Sequence, residues 1–349
     1  MIIGAGLDPR LGLSFEELRD VGAEAARLGF ESLWTPAGGV PDSFHVCAAW
    51  SDATRSVLGT SVRTGIAVVP APRMWHPASL AAQAATVGAI SGGHFVLGVG
   101  SGGAGEPHFR SAGMPNRPIA VMRDYLRILR GLLAGELVTY DGPALRAERL
   151  QLGGEFPKVP VYLAALGPQM LRLAGAEADG ASLNWATPDQ IAWSAQQMTD
   201  AAKAVGRDPD ELTVSMYIRV CVDEDLDAAR RAFALQVLSY ALARPGTDPT
   251  LAYRGHFGRM GFEEALAELE ARRDAGTAVE DLVDFVPEEL LSAVGYYGPA
   301  SGAAARYAEL STGLDETIVR IVTARPGADA VVHALEALTP VKIRQSGGS

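Results

Sequence analysis

Short apolar runs and amphipathic stretches alternate along most of this chain. "IIGAGL" (2–7) is apolar throughout, whereas "SFEELRDVGAEAARLGF" (14–30) spaces its apolar residues three and four apart, the period of a helix that buries one face. Ser14 precedes that stretch and Glu17 follows three residues later, a pair that satisfies orphan backbone N–H groups at a helix start. The succession continues with strand 31–34, helix 46–53, strand 61–70, a helix opening just after Pro77, strand 93–103 and helix 118–134. "GELVTYDGPALRAERLQL" then predicts a hairpin turning at Asp141-Gly142, a dipeptide that tolerates the positive φ of a tight turn. Alternation resumes with strand 160–166, helix 168–177, strand 180–184, helix 188–205, strand 212–220 and helix 225–241. It ends with helix 299–310, strand 316–323 and helix 327–338.

Strands separated by helices predict an α/β fold with a parallel sheet, and about eight such units close into a (β/α)8 TIM barrel. We expect one domain over residues 1–349. Between 242 and 298 the alternation is lost, apart from a helix at 262–275, and this segment reads as an insertion before the last strand. Loops after the strand C-termini build the active site of such a barrel, so the insertion is expected to act as a lid or a dimer contact.

Composition narrows the chemistry. The net charge of −11 comes with no run of Lys or Arg, which argues against a nucleic-acid partner. The two cysteines, Cys47 and Cys221, are too few for a disulfide framework or a metal cage, and a reducing compartment suits them. No basic leader with an apolar core opens the chain, and no stretch of about 18 apolar residues offers a membrane span. The expectation is a cytoplasmic protein with a small-molecule substrate and no metal.

Walker, HExxH, CxxC and GxSxG motifs are all missing, which removes support for P-loop, zincin, dithiol and serine-hydrolase chemistry. "GVGSGG" (98–103) lacks the acidic residue that a dinucleotide fingerprint places at the end of a following strand. It is either a loop approaching a flat ring or an anion, or an ordinary tight turn. "AALGPQMLRLAGAEADGASLN" (164–184) is a strand that stops on Gly167-Pro168 and starts a helix at once. That junction either holds an anion on free N–H groups or is a plain strand-to-helix turn.

With "TGIAVVPAPRMWHPASLAAQAATVGAISGGHFVLGVGSGG" and the 164–184 stretch both placed, the chain resembles the bacterial luciferase-like superfamily. Within it, the chain is most similar to the branch that uses the deazaflavin coenzyme F420, which includes methylenetetrahydromethanopterin reductases and F420-dependent glucose-6-phosphate dehydrogenases. The resemblance runs over nearly the whole chain and is least from 244 to 295. It implies a non-prolyl cis peptide bulge at Ala67-Val68 behind the deazaflavin ring, a ring-facing loop at Gly100, Ser101 and Gly102, and a phosphate cradle at Leu166, Gly167, Pro168, Gln169 and Met170. It also implies hydride transfer at C5 of F420, in a protein that is often a homodimer. The alternatives are an FMN-dependent monooxygenase of the same superfamily and a catalytically silent ligand-binding barrel.

One departure bears on mechanism. The relatives commonly carry an Asp-His pair after the second strand, where Pro36 and Ala37 stand here. A copy of the sugar-phosphate dehydrogenase is therefore not expected, and reduction of a C=C, C=N or C=O bond fits better. The proton-transfer candidates are Glu106, on the loop after the fourth strand, and His45, further along the second-strand loop; a surface acid and a packed loop histidine are the plain alternatives. His108 shares the Glu106 loop. Trp34, Trp75 and Trp185 stand near strand ends as ring-lining or core residues, Arg73 and Arg110 as anion contacts or surface cations, and His76 as a helix-start residue.

Overall fold

The computed structural model describes residues 1–102 and 113–347. Its strands are β1 (Ile2–Gly6), β2 (Ser32–Thr35), β3 (Arg63–Pro70), β4 (Phe95–Gly100), the hairpin pair β5 (Val138–Asp141) and β6 (Arg146–Leu150), β7 (Val161–Ala164), β8 (Gly180–Asn184), β9 (Thr213–Val222), β10 (Gly295–Gly298) and β11 (Glu316–Val322). β1, β2, β3, β4, β7, β8, β9 and β11 pair in that order, all parallel, and β11 pairs back to β1. The barrel is closed, with helices between successive strands, as the alternation predicts.

Alternate residues along each strand face opposite sides. Leu33, Ile66, Leu97, Leu163 and Val319 face the surrounding helices in the main core. Trp34, Ala67, Val96, Tyr162, Tyr217 and Ile318 form a separate buried cluster that fills the barrel interior. Trp34 stacks on Tyr162 with ring centroids 6.3 Å apart, and its Nε1–H donates 3.0 Å to the buried Glu316 carboxylate. Ser32 Oγ donates to the same carboxylate at 2.6 Å and Arg63 Nη1 at 3.2 Å. Burial still holds the Glu316 carboxyl above its ordinary value.

Three local expectations are refined. The helix expected at 46–53 runs over Ser43–Leu58, because the Asp42 carboxylate accepts from the N–H groups of Phe44 and His45 and starts it earlier. The hairpin turns through 142–145, because Asp124 Oδ2 accepts from Ala144 N at 2.7 Å and Leu145 N at 3.0 Å. The insertion contributes a ninth parallel strand, β10, which pairs with Arg219–Val222 of β9. β9 is ten residues long and outruns β8, whose pairing ends at Asn184↔Tyr217. Helices of the insertion pack Phe257, Leu266, Leu290 and Leu291 against Phe233 and Val237 of the helix Leu226–Ala241 in a second core cluster.

Among the described residues no helix is long and apolar enough to cross a membrane, and no group of three or more His, Cys, Asp or Glu is placed to hold a metal ion. Both cysteines are free and buried, and burial pushes the Cys221 thiol up to about 12.

Candidate active site

The mouth at the strand C-termini has two unlike halves. On one side β3 carries one extra residue: Ile66 pairs with Leu97 and Val69 with Val99, so Ala67 and Val68 lie opposite Gly98 alone. The Ala67–Val68 peptide bond is cis. A Cβ on Gly98 would stand 2.4 Å from Ile66 O, so only glycine admits the bulge at this approach. The Ala37 N–H donates to Val68 O at 3.4 Å, which ties the loop after β2 to the bulge. A Cβ on Gly100 would lie 3.0 Å from Val68 Cγ2. Bulge and glycine loop therefore meet flush, as an apolar shelf suited to a flat ring.

One strand along, β7 leads through Leu166 and Gly167 into the helix Pro168–Glu177, whose N-cap Gly167 gives no side-chain cap. N–H groups of a first helical turn have no partner within the helix, and the dipole adds positive potential there. A Cβ built on Gly167 meets no atom within 4 Å. The junction is thus an uncapped helix start with open space above it, the shape an anionic group fills.

The insertion reaches this junction. Arg259 Nη2 donates to Leu166 O at 3.0 Å and lies 3.4 Å from His256 Nδ1. His256 Nε2 sits 2.7 Å from Trp185 O, which fixes the tautomer with the proton on Nε2. The imidazole is 2% exposed, and burial lowers its pKa to about 4. The imidazole is neutral at pH 7, leaving Nδ1 free to accept from Arg259. Between about 4 and the ordinary 6.5 the unfolded chain binds a proton that the folded chain does not, so acidification through that window removes stability. The stability advantage of wild type over His256→Gln is expected to shrink by on the order of 2–3 kcal/mol between pH 7 and pH 4. Urea unfolding across that range measures it; a pH-independent difference contradicts a neutral, desolvated His256.

The other half of the mouth is cationic. In the ring of eight, β9 stands four strands from β3, and β11 four from β4. Arg320 of β11 is paired with Asp8, just past β1, and both are buried. Arg10 Nη2 reaches Asp8 at 2.8 Å and Tyr240 Oη at 3.2 Å. Arg219 of β9 is fully buried, donates through Nη1 to Asn184 Oδ1 at 2.6 Å, and stacks on Trp185 at 3.9 Å and Tyr240 at 4.9 Å. Asn184 Nδ2 in turn donates to Tyr253 Oη at 2.7 Å.

Ala67, Val68, Gly100, Ser101 and Gly102 come together at the shelf, and Leu166 to Met170 at the helix start beside it. Glu106, His108 and Arg110 lie outside the described residues. His45 is 80% exposed and bonds Asp42 through Nδ1 at 2.8 Å. Trp34 and Trp185 are buried, Trp75 packs edge-on against Phe44, and His76 caps the following helix by accepting from Ala78 N. Sequence reasoning missed Arg259, His256 and the cluster of Arg10, Arg219 and Arg320. The arginines at the ends of β9 and β11 were readable only as charges inside otherwise apolar runs.

The chain matches the luciferase-like monooxygenase family over residues 3–316, and it belongs to that family. It is 28% identical over 310 residues to a 5,10-methylenetetrahydromethanopterin reductase of Methanolobus tindarius, covering 86% of this chain and 88% of the relative. It is 31% identical over 229 residues to an F420-dependent glucose-6-phosphate dehydrogenase of Microbacterium testaceum, covering 61% and 66%. The solved coenzyme F420-dependent tetrahydromethanopterin reductase of Methanopyrus kandleri superposes with a TM-score of 0.76 at 21% identity, over 97% of this chain and 98% of that one.

Proposed function

We propose that this chain is an F420-dependent oxidoreductase that passes hydride between the deazaflavin C5 and a small organic substrate, acting as a reductase of a C=C, C=N or C=O bond. The observation that carries it is the uncapped helix start at Gly167, open to a Cβ, one strand from the shelf of Ala67, Val68 and Gly100. A ring on that shelf with an anionic tail at Gly167 uses both features at once. Family membership and F420-dependent relatives support the same cofactor.

When bound, F420 supplies the hydride chemistry. Ala67, Val68, Gly100, Ser101 and Gly102 support the ring, and Gln169 and Met170 turn their first-turn N–H groups to the phosphate, with Leu166, Gly167 and Pro168 shaping the cradle. Arg259, held by neutral His256, adds positive charge beside it. Glu106 is the proposed proton donor to the substrate atom next to the one exchanging hydride, and His45 the second candidate.

Fluorescence titration with F420, alongside FMN, tests the cofactor, and turnover across activated alkenes, imines and ketones tests the reaction. Tight FMN binding with indifference to F420 would overturn the assignment; F420 bound but redox-inert across the panel would favour a silent binding barrel. Glu106→Gln is expected to lower kcat about 100-fold with F420 affinity unchanged, and unchanged turnover would remove Glu106 from the mechanism.

A further inference from the structure

We propose that the half of the barrel mouth facing the shelf is a subsite for an anionic group of the substrate, a carboxylate or a phosphate, received by Arg10 and Arg320 with Arg219 adding charge beside them. This deepens the reading of the mouth as the hydride-transfer site and rests on it for the word substrate.

Three guanidinium groups converge there, and among the described residues Asp8 is the carboxylate hydrogen-bonded to any of them. Arg10, Arg320, Asp8 and Gln236 line a cavity of about 80 Å³, room for one small anionic group. Arg219 departs furthest from a bracing role. It is fully buried, yet its Nε and Nη2 have no hydrogen-bond partner. A structural guanidinium ordinarily uses its five donors on protein acceptors, because a buried unmet donor is costly.

Tyr240 reports the resulting field. Burial pushes its phenol up, yet the Arg219 and Arg10 guanidiniums bring it below its ordinary value. The topology gives the subsite a use. β9 and β11 stand diametrically across the barrel from β3 and β4, so a substrate anchored by its anionic end there spans toward the shelf. Arg–carboxylate and Arg–phosphate contacts are strong and directional, and an anchor of this kind restricts approach of the reacting carbon to the ring.

The test uses Gly167→Val protein, whose phosphate cradle is filled, so that a small anion reports on the arginine cluster alone. Calorimetric titration with inorganic phosphate and with acetate, at matched ionic strength, is expected to give millimolar binding of at least one. The preferred anion identifies the substrate group. Arg10→Gln, at a side chain 51% exposed, is expected to weaken binding about 10-fold. The paired change of Asp8→Asn with Arg320→Met, which removes both charges together, is expected to weaken it at least as much. No binding of either anion, or affinities unchanged within about twofold in both variants, would overturn the subsite. F420 titration of Arg10→Gln in the otherwise native chain is expected to match wild type. Failure of the native chain to bind F420 removes the oxidoreductase reading and leaves the anion result standing on its own.

Discussion

Gly167→Val is expected to weaken F420 binding about 1,000-fold, a loss of about 4 kcal/mol, with a melting temperature within about 2 °C of wild type. The asymmetry follows from what surrounds the residue. Its φ of −101° and ψ of 160° are open to any L-amino acid, and an added Cβ touches no atom of the chain within 4 Å. Valine therefore costs the fold little. The same Cβ enters the space above the uncapped N–H groups, where an anion gains both hydrogen bonds and the helix dipole. Fluorescence titration with F420 and thermal unfolding of the same preparation separate the two effects. Equal loss of binding and stability would make Gly167 an ordinary strand-to-helix turn; intact binding would move the phosphate elsewhere.

The features legible in the sequence are those set by near neighbours. The eight barrel strands stand out because apolar runs and amphipathic helices alternate, and the capped helix start at Ser14 needs only Glu17 three residues away. The Gly167-Pro168 junction is legible for the same reason. The cis peptide at Ala67–Val68 carries no local signal in "IAVVP", and its place came from the family resemblance. β10 escapes notice because "GYYG" is four residues, too short for a periodicity, and exists only where β9 outruns β8. Arg259 meets Leu166 across 93 positions, and Arg320 meets Asp8 across 312. In the sequence Arg259 reads alone as a solvated cation, and Arg320 as a lone charge inside an apolar run. Only barrel closure brings Arg10, Arg219 and Arg320 to one side of the mouth, and only the insertion's return brings Arg259 to the cradle.

Gly98→Ala is expected to cost about 3 kcal/mol of stability and to take F420 binding with it, the opposite pattern to Gly167→Val. Here the added Cβ lies 2.4 Å from Ile66 O and 3.3 Å from Ala67 Cα. These are backbone atoms of the bulge, so no rotamer change relieves the contact and the β3–β4 pairing must open. Interiors this densely packed transmit such a shift to their neighbours. The first neighbours are Val68, 3.0 Å from a Cβ on Gly100, and Ala37, whose N–H bonds Val68 O. Urea unfolding measures the stability loss, and F420 titration at low temperature, where the variant remains folded, measures the shelf. Gly153→Ala is the control: its Cβ also meets nothing within 4 Å, and it should stay within about 0.5 kcal/mol of wild type. A Gly98→Ala protein as stable as that control would mean that β3 can retreat from β4 at the bulge. The close approach at Gly98 would then not be what holds the shelf in place.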